Sequence, residues 1–285
     1  MEYLGKIIDG KKICQEVKDK IREFVSLRQS QGKIIPQIAS ILVGNDGGSV
    51  YYINSQEKTA QSLGVLFQKI LLPEETSEDE LLQVIKKLND DNKVHGIMIQ
   101  VPLPKHINQN NIINAISVSK DIDCLKPESV GKLYMGEKSF VPCTPKSVIT
   151  LLKTLNIDIA GKEAVVLGRS NIVGKPVAQL LLNENATVTI CHSKTKDLKE
   201  VCKRADILVV AIGRAKFVDD SFIKDGAVVI DVGTSSVNGK ITGDVDFDKV
   251  IDKASYLTPV PGGVGALTTT ILIQNACEAL KNNEN

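Results

Sequence analysis

Val165-Val-Leu-Gly-Arg-Ser-Asn-Ile-Val-Gly-Lys-Pro176 is the stretch on which the fold turns. An apolar, β-branched run stops at Gly168, passes through small and polar residues, and meets Gly174 and then Pro176, a residue suited to the first turn of a helix. The pattern reads as strand, tight turn and helix start. Such a junction aims backbone N–H groups and the positive end of a helix dipole at whatever lies over the turn, as a pyrophosphate site requires. Gly168 and Gly174 are separated by five residues, which is not the G-x-G-x-x-G spacing, so an ordinary strand-to-helix turn has the same look.

The segments C-terminal to this turn support the dinucleotide reading. Ala186–His192, Ala205–Gly213 and Gly226–Gly233 read as three further strands with short helical or loop segments between them. Near-continuous apolar strands alternating with helices imply an α/β fold with a parallel sheet covered on both faces. Ligands of such sheets bind beyond the strand C-termini, where Gly168, Ser193, Gly213 and Gly233 fall. An NAD site usually places a carboxylate about 20 residues beyond the glycine turn. Here Cys191-His192-Ser193-Lys194-Thr195 carries none, and Arg169 offers a planar fork for a 2′-phosphate, so NADP is favoured over NAD. Taken singly, Arg169 and Lys194 are equally well explained as solvated loop charges.

A chain of 285 residues can bury a substantial core and divides most naturally into two domains. The net charge is +1 and only 4% of residues are aromatic, which speaks against nucleic acid as a partner. No apolar run approaches the roughly 20 residues of a membrane span, and the charged N-terminus lacks a signal-peptide core, so a cytosolic protein with no membrane partner is expected. The six cysteines, at 14, 124, 143, 191, 202 and 277, contain no C-x-x-C pair and read as reduced thiols. His95, His106 and His192 are scattered, and no metal site is expected.

Towards the N-terminus, Ile13–Leu27 has helical periodicity and Gln37–Gly44 reads as a buried strand. Ser49–Leu63 reads as a helix closed by Gly64, Val65–Leu72 as a strand, and Gly96–Val101 as another ending in Pro102-Leu103-Pro104. Ser77 and Glu80 form a capping-box pattern ahead of Leu81, Leu82, Val84, Ile85 and Leu88. This βαβαβ half has no glycine-rich phosphate turn and suits a substrate domain. From Asp121 to Lys146 the pattern breaks into what reads as a long loop. Thr144-Pro145 then opens a helix through Leu155 that leads into the nucleotide domain. After its last strand come Thr258-Pro-Val-Pro-Gly-Gly-Val-Gly265, whose two adjacent glycines allow close backbone approach to a ligand, and a helix from about Leu267 to Leu280.

Six segments in order resemble the methylenetetrahydrofolate dehydrogenase/cyclohydrolase family. They are Ser49-Val-Tyr-Tyr52, Gly96-Ile-Met-Ile-Gln-Val-Pro-Leu-Pro104, Asp121-Ile-Asp123, Pro142-Cys-Thr-Pro145, Gly168-Arg-Ser-Asn-Ile-Val-Gly-Lys-Pro176 and Pro261-Gly-Gly-Val-Gly265. The resemblance spans nearly the whole chain. It implies a two-domain α/β homodimer, with an N-terminal βαβ substrate and catalytic domain, a Rossmann-like doubly wound NADP-binding domain and a folate cleft between them. On this chain the boundaries are 1–143, completed by the helix at 267–285, and 144–266. The implied reaction oxidises 5,10-methylenetetrahydrofolate with NADP and then hydrolyses the methenyl product to 10-formyltetrahydrofolate. The matching substrate positions are Tyr52, Gln100, Val101, Pro102, Leu103, Asp123, Pro261, Gly262, Gly263 and Val264. Those towards the cofactor are Gly168, Arg169, Ser170, Ile172, Gly174, His192, Ser193, Gly213, Gly233 and Thr234, and Tyr52, Gln56, Gln100 and Asp123 are the catalytic candidates.

One position departs. Four residues beyond Tyr52 the family pattern has its principal catalytic lysine, and this chain has Gln56. Four residues advance a helix by roughly 400°, so Tyr52 and Gln56 share a face, whereas Lys58 points about 120° away and suits the helix surface. Removing a hydride from a carbon flanked by two nitrogens needs positioning and exclusion of water, with no proton to move. Hydrolysis needs proton transfer, which a lysine of lowered pKa supplies and glutamine cannot. The expectation is therefore a dehydrogenase whose cyclohydrolase activity is weak or absent, served by a separate cyclohydrolase. The competing readings are a bifunctional enzyme using Tyr52, Asp123 and water, a folate- or NADP-binding regulatory protein without catalysis, and a generic amino- or hydroxy-acid dehydrogenase. Outside the resemblance, Tyr52 would default to core packing and Asp123 to capping a loop.

Overall fold

A computed structural model describes residues 5–237 and 239–284. The strands, in chain order, are β1 (Lys6–Ile7), β2 (Gln37–Val43), β3 (Leu66–Leu72), β4 (Gly96–Ile99), β5 (Glu163–Leu167), β6 (Thr187–Cys191), β7 (Ile207–Val210), β8 (Val228–Asp231), β9 (Ser235–Val237), β10 (Lys240–Thr242) and β11 (Tyr256–Leu257). The helices are α1 (Gly10–Ser30), α2 (Gly47–Ser62), α3 (Glu78–Asp90), α4 (Gln109–Ala115), α5 (Pro127–Met135), α6 (Cys143–Thr154), α7 (Gly174–Asn183), α8 (Leu198–Cys202), α9 (Phe247–Val250) and α10 (Thr268–Asn283).

The chain divides into two compact units, one of residues up to Gln15 with Pro142–Thr268, the other of Glu16–Val141 with Thr269–Asn285. In the second of these, β2 is central in a parallel sheet of order β3-β2-β4. Its apolar residues sit among α3 and α4 side chains in a core built on Ile41, Val43, Leu81, Ile85, Ile97, Ile99 and Ile112. The capping box of Ser77 and Glu80 forms as the sequence implied, with the Ser77 N–H and the Glu80 carboxylate 2.8 Å apart. Helix α10 is tied to this unit by Asn275, whose Nδ2 donates to the carbonyls of Ile122 and Val141.

Two features differ from the sequence reading. Residues 5–15 group with the nucleotide unit, because β1 extends that unit's sheet by pairing in parallel with β11. The expected long loop after Asp121 contains a nine-residue helix, α5. Pro127 occupies its first turn and Gly136, in the left-handed region at φ 71°, ends it. Asp121 accepts from the N–H groups of Leu125 and Lys126 and from the Ser129 hydroxyl, which satisfies the start of that helix. Gly131 in mid-helix and the short length hid it from periodicity.

In the other unit a six-stranded sheet runs β1-β11-β8-β7-β5-β6, parallel throughout. Strand β5 starts it, β6 adds on one side, and the chain then returns to place β7 on the other. The crevice where the order reverses is the expected ligand position of a doubly wound sheet, and it falls at Gly168. Val165, Val166, Val209 and Val210 are fully buried, as the unbroken apolar runs implied.

Candidate functional site

At that crevice lies a cavity of about 310 Å³ lined by Leu167, Gly168, Arg169, Ser170, His192, Ser193, Leu198, Ala211, Ile212, Arg214 and Phe217. Gly168 makes the geometry possible, because its φ is +138° and a Cβ there would lie 2.2 Å from the Ala211 carbonyl oxygen. Gly174 serves packing, since a Cβ on it would meet the Gly168 carbonyl at 2.3 Å. The Ser170 hydroxyl accepts from the N–H groups of Val173 and Gly174, both at 3.2 Å, and caps the turn into α7.

Of the ten residues expected here, the cavity brings together Gly168, Arg169, Ser170, His192 and Ser193. Ile172 is exposed to solvent and, like Gly174 and Thr234, does not line it. Gly213 and Gly233 do not line it either, and their N–H groups are engaged internally: Gly213 donates to Asp244 and Gly233 to Asp231. Two arginines, two serine hydroxyls and no carboxylate give the lining a donor set suited to a phosphate-bearing ligand.

Behind the cavity lies a pair of buried carboxylates that the sequence reading missed. Asp231 accepts from the N–H groups of Gly233, Asp244 and Val245 at 2.9–3.0 Å. Burial nevertheless outweighs those bonds and pushes its carboxyl up to about 6. A carboxyl raised in the folded state holds its proton while the unfolded chain has already lost it. Stability conferred by Asp231 is therefore greatest below about pH 4, falls as pH rises to about 6 and then levels, an amplitude of about 3 kcal/mol. Because carboxylates shifted downward, such as Asp46, Glu78 and Asp206, change stability in the opposite sense, the Asp231 contribution is read as a difference: between pH 4 and 6.5 in urea unfolding, Asp231→Asn should gain stability relative to the native protein. An unchanged difference would contradict it.

In the other unit, Asp46 caps α2 through the Ser49 N–H at 2.9 Å, and α2 carries Tyr52 and Gln56 towards the C-terminal ends of β2 and β4. Gln100, just after β4, donates from Nε2 to Gln56 Oε1 at 2.8 Å and to the Ser40 hydroxyl at 3.0 Å. All three side chains are buried, Gln56 at 8% exposure. Tyr52 is 61% exposed, which overturns core packing as its role, and Lys58 is exposed. Ser40 was not anticipated, since a lone serine within an apolar strand carries no pattern.

Of the paired aspartates, Asp121 is 2% exposed and accepts from the segment that leads into α5, while Asp123 is half-buried beside it. Val101 is exposed, and its carbonyl accepts from the Ser49 hydroxyl at 3.3 Å. Pro102 and Leu103 come next in the chain, and Pro261, Gly262, Gly263 and Val264 belong to the nucleotide unit. The close approach that Gly263 permits is made to the chain itself: a Cβ on it would lie 2.6 Å from the Pro259 carbonyl oxygen. All six cysteines are buried and unbridged. Among the described residues no cluster of metal-ligating side chains occurs, and no helix is long and apolar enough to cross a membrane.

Residues 8–123 match the family model described as tetrahydrofolate dehydrogenase/cyclohydrolase, catalytic domain, and residues 142–284 match its NAD(P)-binding domain. The chain is 69% identical over 281 residues to the "Bifunctional protein FolD" of Clostridium botulinum (strain Alaska E43 / Type E3), covering 99% of this chain and all of that one. A crystal structure of the FolD methylenetetrahydrofolate dehydrogenase/cyclohydrolase from Campylobacter jejuni superposes with a TM-score of 0.94 at 43% identity, over 98% of this chain and 99% of that one. The Trypanosoma brucei dehydrogenase-cyclohydrolase, solved with NADP cofactor and inhibitor, gives 0.91 at 36% identity, over 99% of each.

Proposed function

The chain belongs to the tetrahydrofolate dehydrogenase/cyclohydrolase family, and from that premise we propose that it oxidises 5,10-methylenetetrahydrofolate to 5,10-methenyltetrahydrofolate with NADP, hydrolysing the product weakly or not at all. NADP, when bound, supplies the hydride acceptor. Arg169, Ser170, His192 and Ser193 would hold it, while Gly168, Gly174, Gly213 and Gly233 shape the backbone around it. Ile172 and Thr234 are assigned to that site on family resemblance alone. Tyr52, Gln100, Asp123, the 101–103 segment and the 261–264 segment are the proposed folate contacts.

Loss of a hydride to the nicotinamide would leave the methylene carbon as the centre of an amidinium stabilised by its two nitrogens, so this half of the chemistry asks the protein for orientation and a dry site. The narrower claim about hydrolysis rests on one observation: the side chain facing Gln100 is the neutral amide of Gln56. An amide cannot take a proton from attacking water or return one to a ring nitrogen. Beside a cationic product it also avoids placing a second cation.

A second reading, a fully bifunctional enzyme yielding 10-formyltetrahydrofolate through Tyr52, Asp123 and water, is favoured by the names of the relatives. On those names alone it is the better supported. Both readings share the dehydrogenase, and a homodimer is part of either. An enzyme that stops at the methenyl compound also calls for a separate cyclohydrolase.

The dehydrogenase is tested by following the absorbance of reduced nicotinamide with methylenetetrahydrofolate and either NADP or NAD. Turnover faster with NADP is expected, and no turnover with either would leave only a non-catalytic binding protein. Arg169→Gln should raise KM for NADP roughly 10- to 100-fold by removing a charge-assisted bond to the 2′-phosphate, with KM for NAD unchanged. A parallel rise for both would remove Arg169 from that role.

A further inference from the structure

One wall of the nucleotide cavity has no role so far. The Arg214 guanidinium carbon lies over the Phe217 ring, 4.2 Å from its centroid, within cation–π distance, and Phe217 is backed in turn by Phe222 at 5.5 Å. Both Arg214 and Phe217 line the cavity. The remaining walls near them, Leu167, Leu198 and Ile212, are apolar. The guanidinium therefore rests over the ring, and no hydrogen bond or ion pair from it to another described residue competes with a ligand.

The backbone beneath Arg214 is fixed from behind. Asp244, fully buried, accepts from the N–H groups of Ile212 at 2.7 Å, Gly213 at 2.9 Å and Arg214 at 2.7 Å. Asp231 holds the N–H of Asp244 itself at 3.0 Å. Three consecutive N–H groups bonded to one carboxylate hold this turn against Asp244. There is no slack around it, because a Cβ on Gly233 would fall 2.2 Å from Asp244 Cγ.

We propose that Arg214 is the adenine-stacking residue of the cofactor site and that Asp244 is the positioning residue that aims it. The plane of a guanidinium backed by a phenyl ring, beside aliphatic walls, matches the face of a purine. Work in the cavity is then divided: Arg169 reads the 2′-phosphate, and Arg214 grips the base whether or not that phosphate is present. The inference rests on the NADP reading above.

The test is equilibrium binding of two probes, 5′-AMP and adenosine 2′,5′-bisphosphate, to the native protein and to Arg214→Ala, Arg214→Lys and Asp244→Asn, by titration calorimetry. Stacking is sequence-tolerant and planar, so Arg214→Ala and Arg214→Lys should each bind both probes about 10-fold more weakly. Asp244→Asn should weaken both probes as well. Its combination with Arg214→Ala should bind no worse than Arg214→Ala alone, a coupling that general destabilisation does not produce. A lysine variant that binds like the native protein, or an alanine variant that loses affinity only for the bisphosphate, would make Arg214 a phosphate reader and overturn the proposal. Unchanged binding in Arg214→Ala, with the native protein binding both probes, overturns it alone. A native protein that binds neither probe overturns the NADP reading and this inference together.

Discussion

Gln56→Lys is expected to raise the rate of methenyltetrahydrofolate hydrolysis by about 10²- to 10⁴-fold, the usual worth of a positioned acid-base group, while leaving NADPH formation within a few-fold of the native rate. The site can receive the change. Gln56 is 8% exposed and the only hydrogen-bond partner of its side chain among the described residues is Gln100, which is also held by Ser40. A lysine offers donors only, so Gln100 must turn its amide to present oxygen, and the Ser40 hydroxyl can then donate to it. Burial would lower the pKa of that lysine towards the range in which it exchanges protons near neutrality. The check is decay of purified methenyltetrahydrofolate beside NADPH formation in one preparation. A folded, dehydrogenase-competent variant that hydrolyses no faster than the native protein would contradict the role given to position 56.

The second large effect is predicted at Gly168. Gly168→Ala places a Cβ 2.2 Å from the Ala211 oxygen and 2.9 Å from its carbonyl carbon, at a φ of +138° that alanine does not adopt. Strain of about 1–3 kcal/mol and overpacking of a similar size should together cost about 3–5 kcal/mol, and NADP-dependent turnover should disappear because the turn can no longer sit between β5 and β7. Gly161→Ala is the control. It shares a positive φ, +72°, with nothing within 4 Å of its added Cβ, so only strain of about 1–2 kcal/mol is expected. Urea unfolding of the two variants measures the difference, and equal losses would show that the Gly168–Ala211 approach is not what demands glycine there.

The parts of this molecule that were legible in its sequence are those that repeat a local physical rule. Apolar runs marked β2, β3, β5, β6, β7 and β8 within about three residues at each end, most plainly β2, β5, β7 and β8, because strands buried on both faces carry no polar alternation. Ser77 and Glu80 announced α3, and Gly168 announced the cavity. Features resting on contacts between distant segments left no local trace. The β1–β11 pairing drew residues 5–15 into the nucleotide unit, and the Asp121 carboxylate stabilised a helix too short for periodicity to reveal. Gly213 and Gly233 look alike in sequence to ligand-facing glycines, yet their N–H groups are committed to Asp244 and Asp231, whose pairing no spacing rule predicts. The Ser40–Gln100–Gln56 chain is of the same kind, joining three elements through two hydrogen bonds.

The most direct test of the central claim uses the native protein alone. A preparation shown to reduce NADP with methylenetetrahydrofolate is given purified methenyltetrahydrofolate, and its decay is recorded against buffer. Decay at the uncatalysed rate is the predicted result and marks a dehydrogenase without the second activity. Rapid decay would contradict it, establish the bifunctional reading, and transfer the proton-handling role from position 56 to another group, with Tyr52 the first to be substituted.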